Sequence, residues 1–243
     1  QAEHDMLPER THDEASRQEF TKSLKGFIQQ TLLPGLQPIY ENRVAPAFEK
    51  AEGRKPQNRQ DIRKGMVDDG YFQMYASINR IAQELLWEST NVSIDRQLPE
   101  LIEKAKTLSE KADTKLVIPE DFVPPRYVSA IDIHCMPGGY CSQVTEDDVA
   151  AGVLYDRGVY LYTMGYTGPN NDDMGRSVCN YLKRNMPDFK PRRILDMGCT
   201  VGHSTLPYKE YFPDAEIWGI DVGAPVIRYA HARAQAMGKD VNF

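Results

Sequence analysis

The run Ile194-Leu195-Asp196-Met197-Gly198-Cys199-Thr200-Val201-Gly202, followed by Trp218-Gly219-Ile220-Asp221, constrains this 243-residue chain more than any other feature. An apolar strand leads into an acid, a turn of small residues and a helix start, and a second acid closes the next strand. The pattern predicts a strand over 193–197, a helix over 203–212, a strand over 216–221, a helix over 225–237 and a further strand from 241. Pro225 stands where a first helical turn tolerates it, and Gly238 where helices often stop. Ile227, Ala230, Ala234 and Met237 form the face that packs on the sheet. Alternating units with short connections imply a parallel sheet with right-handed crossovers. The carboxyl edge of such a sheet is where a nucleoside-type cofactor binds.

The residue types at that edge narrow the cofactor. Gly198 and Gly202 remove side chains where backbone must approach a ligand. A helix starting near His203-Ser204 turns its free N–H groups toward the same crevice. Asp196 can accept hydrogen bonds from a cationic amino group, and Asp221 can accept two from the paired hydroxyls of a ribose. A nicotinamide or flavin fingerprint needs Gly-x-Gly-x-x-Gly to admit a pyrophosphate. This chain has Gly198-x-x-x-Gly202 with an acid two residues earlier. A carboxylate there repels a pyrophosphate and favours the positively charged methionine end of S-adenosylmethionine.

These residues resemble the first two motifs of class I S-adenosylmethionine-dependent methyltransferases, best over Arg192 to Phe243. The resemblance implies an α/β fold with a Rossmann-like parallel sheet and S-adenosylmethionine as cofactor. It puts Asp196, Gly198, Cys199, Thr200 and Gly202 around the methionine moiety, Asp221 on the ribose and Val222 beside the adenine. It implies direct methyl transfer and identifies no catalytic residue; the acidic chain and its helical, non-basic extra domain point to a small-molecule acceptor. Thr200 departs from the family, which often has glycine there. The family's sheet has seven strands, whereas the sequence stops as the third begins. The expectation is therefore an incomplete C-terminal half, an unpaired edge on the first strand and no activity for this chain alone.

The first hundred-odd residues read as helices. Thr11-His12-Asp13-Glu14 has capping-box spacing, with Phe20, Leu24, Phe27 and Ile28 on one following face. A second helix, interrupted near Pro46, is expected over 36–51. Long amphipathic helices are expected over 61–89 and 98–112, the first carrying Tyr71, Tyr75, Ile78, Ala82 and Leu85. Phe20, Phe27, Tyr75, Ile78, Leu85 and Leu101 should line the tight side. Near Lys115 the character changes. Leu116–Ile118 and Tyr127–Ile133 read as short strands, and Thr145 as the cap of a helix toward Tyr162. A helix over 172–185 then delivers the chain to the first strand. The resulting division is a helical N-terminal domain (1–114), a mixed connector over the pocket (115–170) and the N-terminal half of a cofactor domain (171–243). The helical part is expected to cover the pocket or to form a homodimer.

Composition excludes some alternatives. A formal charge of −6, with 26% charged residues, gives no footprint for nucleic acid. No apolar run approaches the ~20 residues of a membrane span. The chain begins at Gln1, as if an upstream segment had been removed. Four scattered cysteines suit a reducing cytoplasm. His134, Cys135 and Cys141 lack a fourth ligand at a metal spacing, so no metal is expected. His134 and the turn Pro137-Gly138-Gly139-Tyr140 read either as a substrate-pocket wall or as a plain hairpin. His203 reads as a surface residue near the loop. The competing reading is a non-catalytic helical interaction or dimerisation module with a truncated cofactor half-domain.

Overall fold

The computed structural model describes the whole chain, Gln1–Phe243. Helices dominate the first 110 residues: α1 (His12–Phe27), α2 (Leu36–Ile39), α3 (Ala45–Glu52), α4 (Arg59–Met66), α5 (Gly70–Asp95) and α6 (Leu98–Glu110). Then come α7 (Arg126–Ser129), α8 (Ala150–Tyr162), α9 (Asp173–Asn185), β1 (Arg193–Met197), α10 (Leu206–Tyr211), β2 (Glu216–Ile220) and α11 (Ala224–Ala236). The two strands are parallel, with Arg193 beside Glu216 and Met197 beside Ile220. Helices around a small parallel sheet make this an α/β chain. No helix is long and apolar enough to cross a membrane.

Local signals placed several elements well. The Thr11 hydroxyl accepts from the Glu14 N–H, and the Glu14 carboxylate accepts from the Thr11 N–H, which closes the capping box. Asp69 accepts from the N–H groups of Tyr71 and Phe72. That cap splits the expected 61–89 helix into α4 and α5. Pro46 does not break its helix. A π-helical turn over Tyr40–Val44 precedes it and runs straight into α3.

The expected apolar face of α1 is only half buried: Ile28 is buried and Leu24 packs against its cluster, but the two phenylalanines face outward. Phe20 and Phe27 are 61% and 50% exposed, while Glu14, Gln18, Thr21 and Lys25 are buried. Those side chains meet α5 and the turn after it: Glu14 pairs with Arg96 at 2.8 Å, Gln18 donates to the Ser89 carbonyl, and Lys25 donates to Gln83. Polar groups can be buried at that spacing because each finds a partner. Of the expected tight side, Leu101 is buried and Tyr75, Ile78 and Leu85 are half-buried.

The expected strands at 116–118 and 127–133 are not formed as such. Residues 115–117 are extended and bond to the last residue: the Phe243 N–H donates to Lys115 O, and the Val117 N–H donates to Phe243 O. Tyr127 falls in the single turn α7, set up by Pro125, whose carbonyl accepts from the N–H groups of Val128 and Ser129. Ile131 and Ile133 are largely exposed, so no apolar face holds a strand there. Helix α8 starts at Ala150 rather than at Thr145, because the buried Asp148 carboxylate accepts from both Val144 and Ala150 N–H groups. The strand expected from 241 reduces to Asn242 bridging Trp218.

Helix α11 sits between two cores. Val226, Tyr229 and Ala232 join Leu86, Trp87, Ile94, Leu101, Val153 and Leu154 on the helical side. Ile227, Ala230 and Ala234 join Cys199, Leu206, Ile217, Val241 and Phe243 against the sheet. Gly152 and Gly158 let α8 come close. A Cβ there would lie 2.3 Å from Tyr229 and 2.2 Å from Trp87. This packing brings α8 over the carboxyl edge of the strands.

Candidate functional site

At the end of β1 the chain turns through Gly198 and Thr200, at φ +80° and +47°, and then Gly202, at φ +78°. Positive φ suits the glycines and costs the β-branched Thr200. Its hydroxyl donates to the Cys199 carbonyl, and its N–H donates to Asp221 Oδ2 at 3.0 Å. Asp221 Oδ1 accepts from the Gly223 N–H at 3.1 Å. The second acid is thus tied to the first turn, and both lie at the carboxyl ends of neighbouring parallel strands. Asp196 accepts from the Thr205 hydroxyl at 2.6 Å. Cys199 is buried; burial and the nearby Asp221 and Asp196 carboxylates push its thiol well up, so it stays protonated.

Two cavities flank this turn. The larger, of about 440 Å³, is lined by Asp196, Gly198, Cys199 and Thr200 and by residues of α5, α8 and the 134–140 turn. The smaller, of about 230 Å³, is mostly apolar and is lined by Asp221, Val222, Ile220, Pro119 and Phe122 among others. The sequence-derived residues therefore divide: Asp196, Gly198, Cys199 and Thr200 face one cavity, and Asp221 and Val222 face the other. The carbonyl of Gly202 accepts the N–H of Leu206, and a Cβ on Gly202 would meet Phe243 at 3.2 Å, so that glycine serves the packing of the turn.

The far wall of the larger cavity comes from residues that the strand motifs do not name. Trp87 donates its indole N–H to the His134 carbonyl at 2.7 Å, and Gln83 donates to the same oxygen. Tyr140 stands against Tyr155 with ring centroids 5.6 Å apart, and its hydroxyl is 3.2 Å from His134 Nδ1. The Pro137–Tyr140 turn thus brings His134 and Tyr140 to the cavity. Burial pushes the phenols of Tyr140 and Tyr155 upward, keeping both neutral near pH 7.

His203 is not a surface residue. It is buried, stacked on Tyr155 at 5.8 Å, and its Nε2 lies 2.9 Å from Asp156 Oδ1. Asp156 is fully buried on α8 and also accepts from Arg233 Nε at 2.8 Å and from the Tyr229 hydroxyl at 2.8 Å. The side chains of Gln1 and His4 reach it as well. Burial favours the neutral acid, but Arg233 and His203 outweigh it and hold the Asp156 carboxyl well below its ordinary value. Burial lowers His203 despite the attraction of Asp156. This cluster braces the floor of the cavity. Its hydrogen-bonded pairs lie up to 155 residues apart, and no local pattern announces them.

Over 53 residues the chain is 40% identical to a demethylmenaquinone methyltransferase of Thermus thermophilus, which covers 22% of this chain and 24% of that protein. Over 62 residues it is 37% identical to a trans-aconitate 2-methyltransferase of Methylobacterium radiotolerans, covering 26% of this chain and 24% of that protein. Each match spans about a quarter of the relative's length. No family model matches the chain. No solved structure matches it significantly. The similarity found is therefore to methyltransferases, over about a quarter of the chain.

Proposed function

We propose that the chain carries the first part of a Rossmann-like S-adenosylmethionine site and serves methyl transfer to a small-molecule acceptor. The observation that carries this reading is the bond from the Thr200 N–H to Asp221, which ties the acid ending β2 to the turn that follows Asp196 and β1. The residues fit the group chemically. A Cβ on Gly198 would meet nothing within 4 Å, so the glycine leaves open space beside the turn. Asp196 would hold the cationic methionine end, together with Gly198, Cys199 and Thr200, while Gly202 shapes the turn behind them. Asp221 would accept from the ribose hydroxyls, and Val222 would line the apolar cavity beside the adenine. The bound cofactor supplies a methyl group activated by a positive sulfur.

The chain's own residues bind and orient. The segment 115–122 walls the smaller cavity, and α5, α8 and the 134–140 turn wall the larger one. On this reading the helical domain (1–114), through Gln83 and Trp87 of α5, and the connector (115–170) cover the site. Alignment in a walled cavity can supply much of the rate of a methyl transfer. Calorimetric titration with S-adenosylhomocysteine and, separately, with NAD tests the reading. Saturable binding of the first, at least tenfold tighter than NAD, is expected. Preference for NAD would overturn it.

A further inference from the structure

Resting on the methyl-transfer reading, we propose that the acceptor is an uncharged aromatic alcohol whose hydroxyl is held by His134. The larger cavity presents the rings of Trp87, Tyr140, Tyr155 and Tyr162 and no lysine or arginine. Its one carboxylate is Asp196. The chain's own side chains there offer an acceptor carboxylate a like charge and no cation, which low-dielectric surroundings penalise. A planar uncharged ring instead finds aromatic side chains to pack against. The Lys25 ammonium lies behind this wall, 4.5 Å from the Tyr162 ring centroid and donating to Gln83 Oε1 at 2.6 Å. It is engaged by the wall and does not line the space.

His134 is the one half-exposed imidazole in the lining, since His203 is buried against Asp156. The carboxylate of Asp132 lies 3.3 Å from His134 Nδ1. Asp132 is itself fixed by the N–H groups of His134 and Met136, at 3.0 and 2.7 Å. A carboxylate at that distance favours the proton on Nδ1, where it also meets the Tyr140 oxygen at 3.2 Å. Nε2 is then the acceptor nitrogen and takes the hydrogen bond of the acceptor hydroxyl. In the transfer, the acceptor oxygen bonds to the methyl carbon, and the carbon–sulfur bond of the sulfonium donor breaks with its electron pair left on sulfur. The hydroxyl proton passes to His134 Nε2.

Calorimetry with 1-naphthol, 1-methoxynaphthalene and 1-naphthoate tests this without turnover. Naphthol should bind at least tenfold tighter than naphthoate. His134→Ala should weaken naphthol several-fold and leave methoxynaphthalene unchanged, whereas Tyr162→Leu should weaken both. Naphthoate binding as well as naphthol, no binding of naphthol, or His134→Ala affecting the two neutral probes alike would each overturn the inference. Parallel titration with S-adenosylhomocysteine keeps the two readings apart. Its failure beside an intact naphthol preference strikes the cofactor assignment, while the reverse result strikes only the acceptor class.

Discussion

The backbone N–H of Thr200 lies 3.0 Å from Oδ2 of Asp221, joining the turn after β1 to the acid that ends β2. The bond lets one carboxylate organise a turn and still offer lone pairs to a ligand, since each oxygen accepts a single N–H from the chain.

Removing that carboxylate should therefore weaken cofactor binding in two ways. Asp221→Ala loses the ribose acceptor and frees the Thr200 turn. The expected loss is about 1.5–3 kcal/mol, more than tenfold in Kd for S-adenosylhomocysteine. Asp221→Asn, which keeps one acceptor oxygen, should fall between the wild type and Asp221→Ala in the same titration. Unchanged affinity in Asp221→Ala would remove Asp221 from the site.

Gly175 sets how closely α9 approaches the turn. A Cβ there would lie 2.5 Å from the Ser204 carbonyl oxygen and 2.7 Å from its Cα, both backbone atoms that cannot rotate away. Gly175→Ala should destabilise the fold by about 1–3 kcal/mol. Gly70→Ala, in open space at the first position of α5, should leave stability unchanged or slightly higher. Thermal unfolding of the two variants side by side checks the contrast.

Asp156 is a buried hub, and its replacement strands Arg233. Asp156→Asn keeps the shape but removes the charge that Arg233 Nε meets at 2.8 Å, with both side chains 1% exposed or less. A loss of about 3–5 kcal/mol is expected. Denaturant unfolding measures it. A loss below one kcal/mol would show that the arginine finds water or another partner.

The pH dependence follows from the buried imidazoles. Burial lowers His203 and His231 below the ordinary 6.5. Each is therefore protonated in the unfolded chain before it is in the folded one as pH falls. Their contribution to stability is complete above about pH 6.5 and is lost progressively below it. Asp156 acts lower. Its depressed carboxyl contributes fully above about 3.8 and is lost as pH falls toward its folded value. The Tm should decline from about pH 6.5 to 5. His231→Gln, exchanging a group held by Ser109 and Thr114, should flatten that decline.

One face of the strand pair is open. Leu195, Met197 and Ile220 are 57%, 75% and 43% exposed, and β1 has β2 as its sole strand neighbour. Parallel sheets are ordinarily covered on both faces, and a bare apolar face with a free edge promotes association. The 243-residue chain should show a concentration-dependent mass in sedimentation, and Leu195→Glu should shift it toward monomer. A wild-type monomer at high concentration would show that the face tolerates water.

The sequence by itself determined the elements whose causes are local. The capping box placed α1, amphipathic spacing placed α6, and the alternation after Lys190 placed β1, β2 and α11 within a residue or two. It also brought Asp196, Gly198 and Thr200 to one cavity edge, because a strand must deliver its last residues to its own carboxyl end. Tertiary structure decided the rest. Which face of α1 is buried depends on Arg96 and Gln83 across the helix pair, so the apolar stripe of Phe20 and Phe27 misleads. His203 becomes a buried partner of Asp156 only because α8 crosses above the turn. Residues 115–117 extend the strand edge at Phe243, 126 residues away from Val117, and a pairing at that separation leaves no periodic trace in either segment. Local patterns record what each segment prefers alone. The buried polar contacts that shape this cavity arise between segments far apart in the chain, where satisfied hydrogen bonding outweighs those preferences.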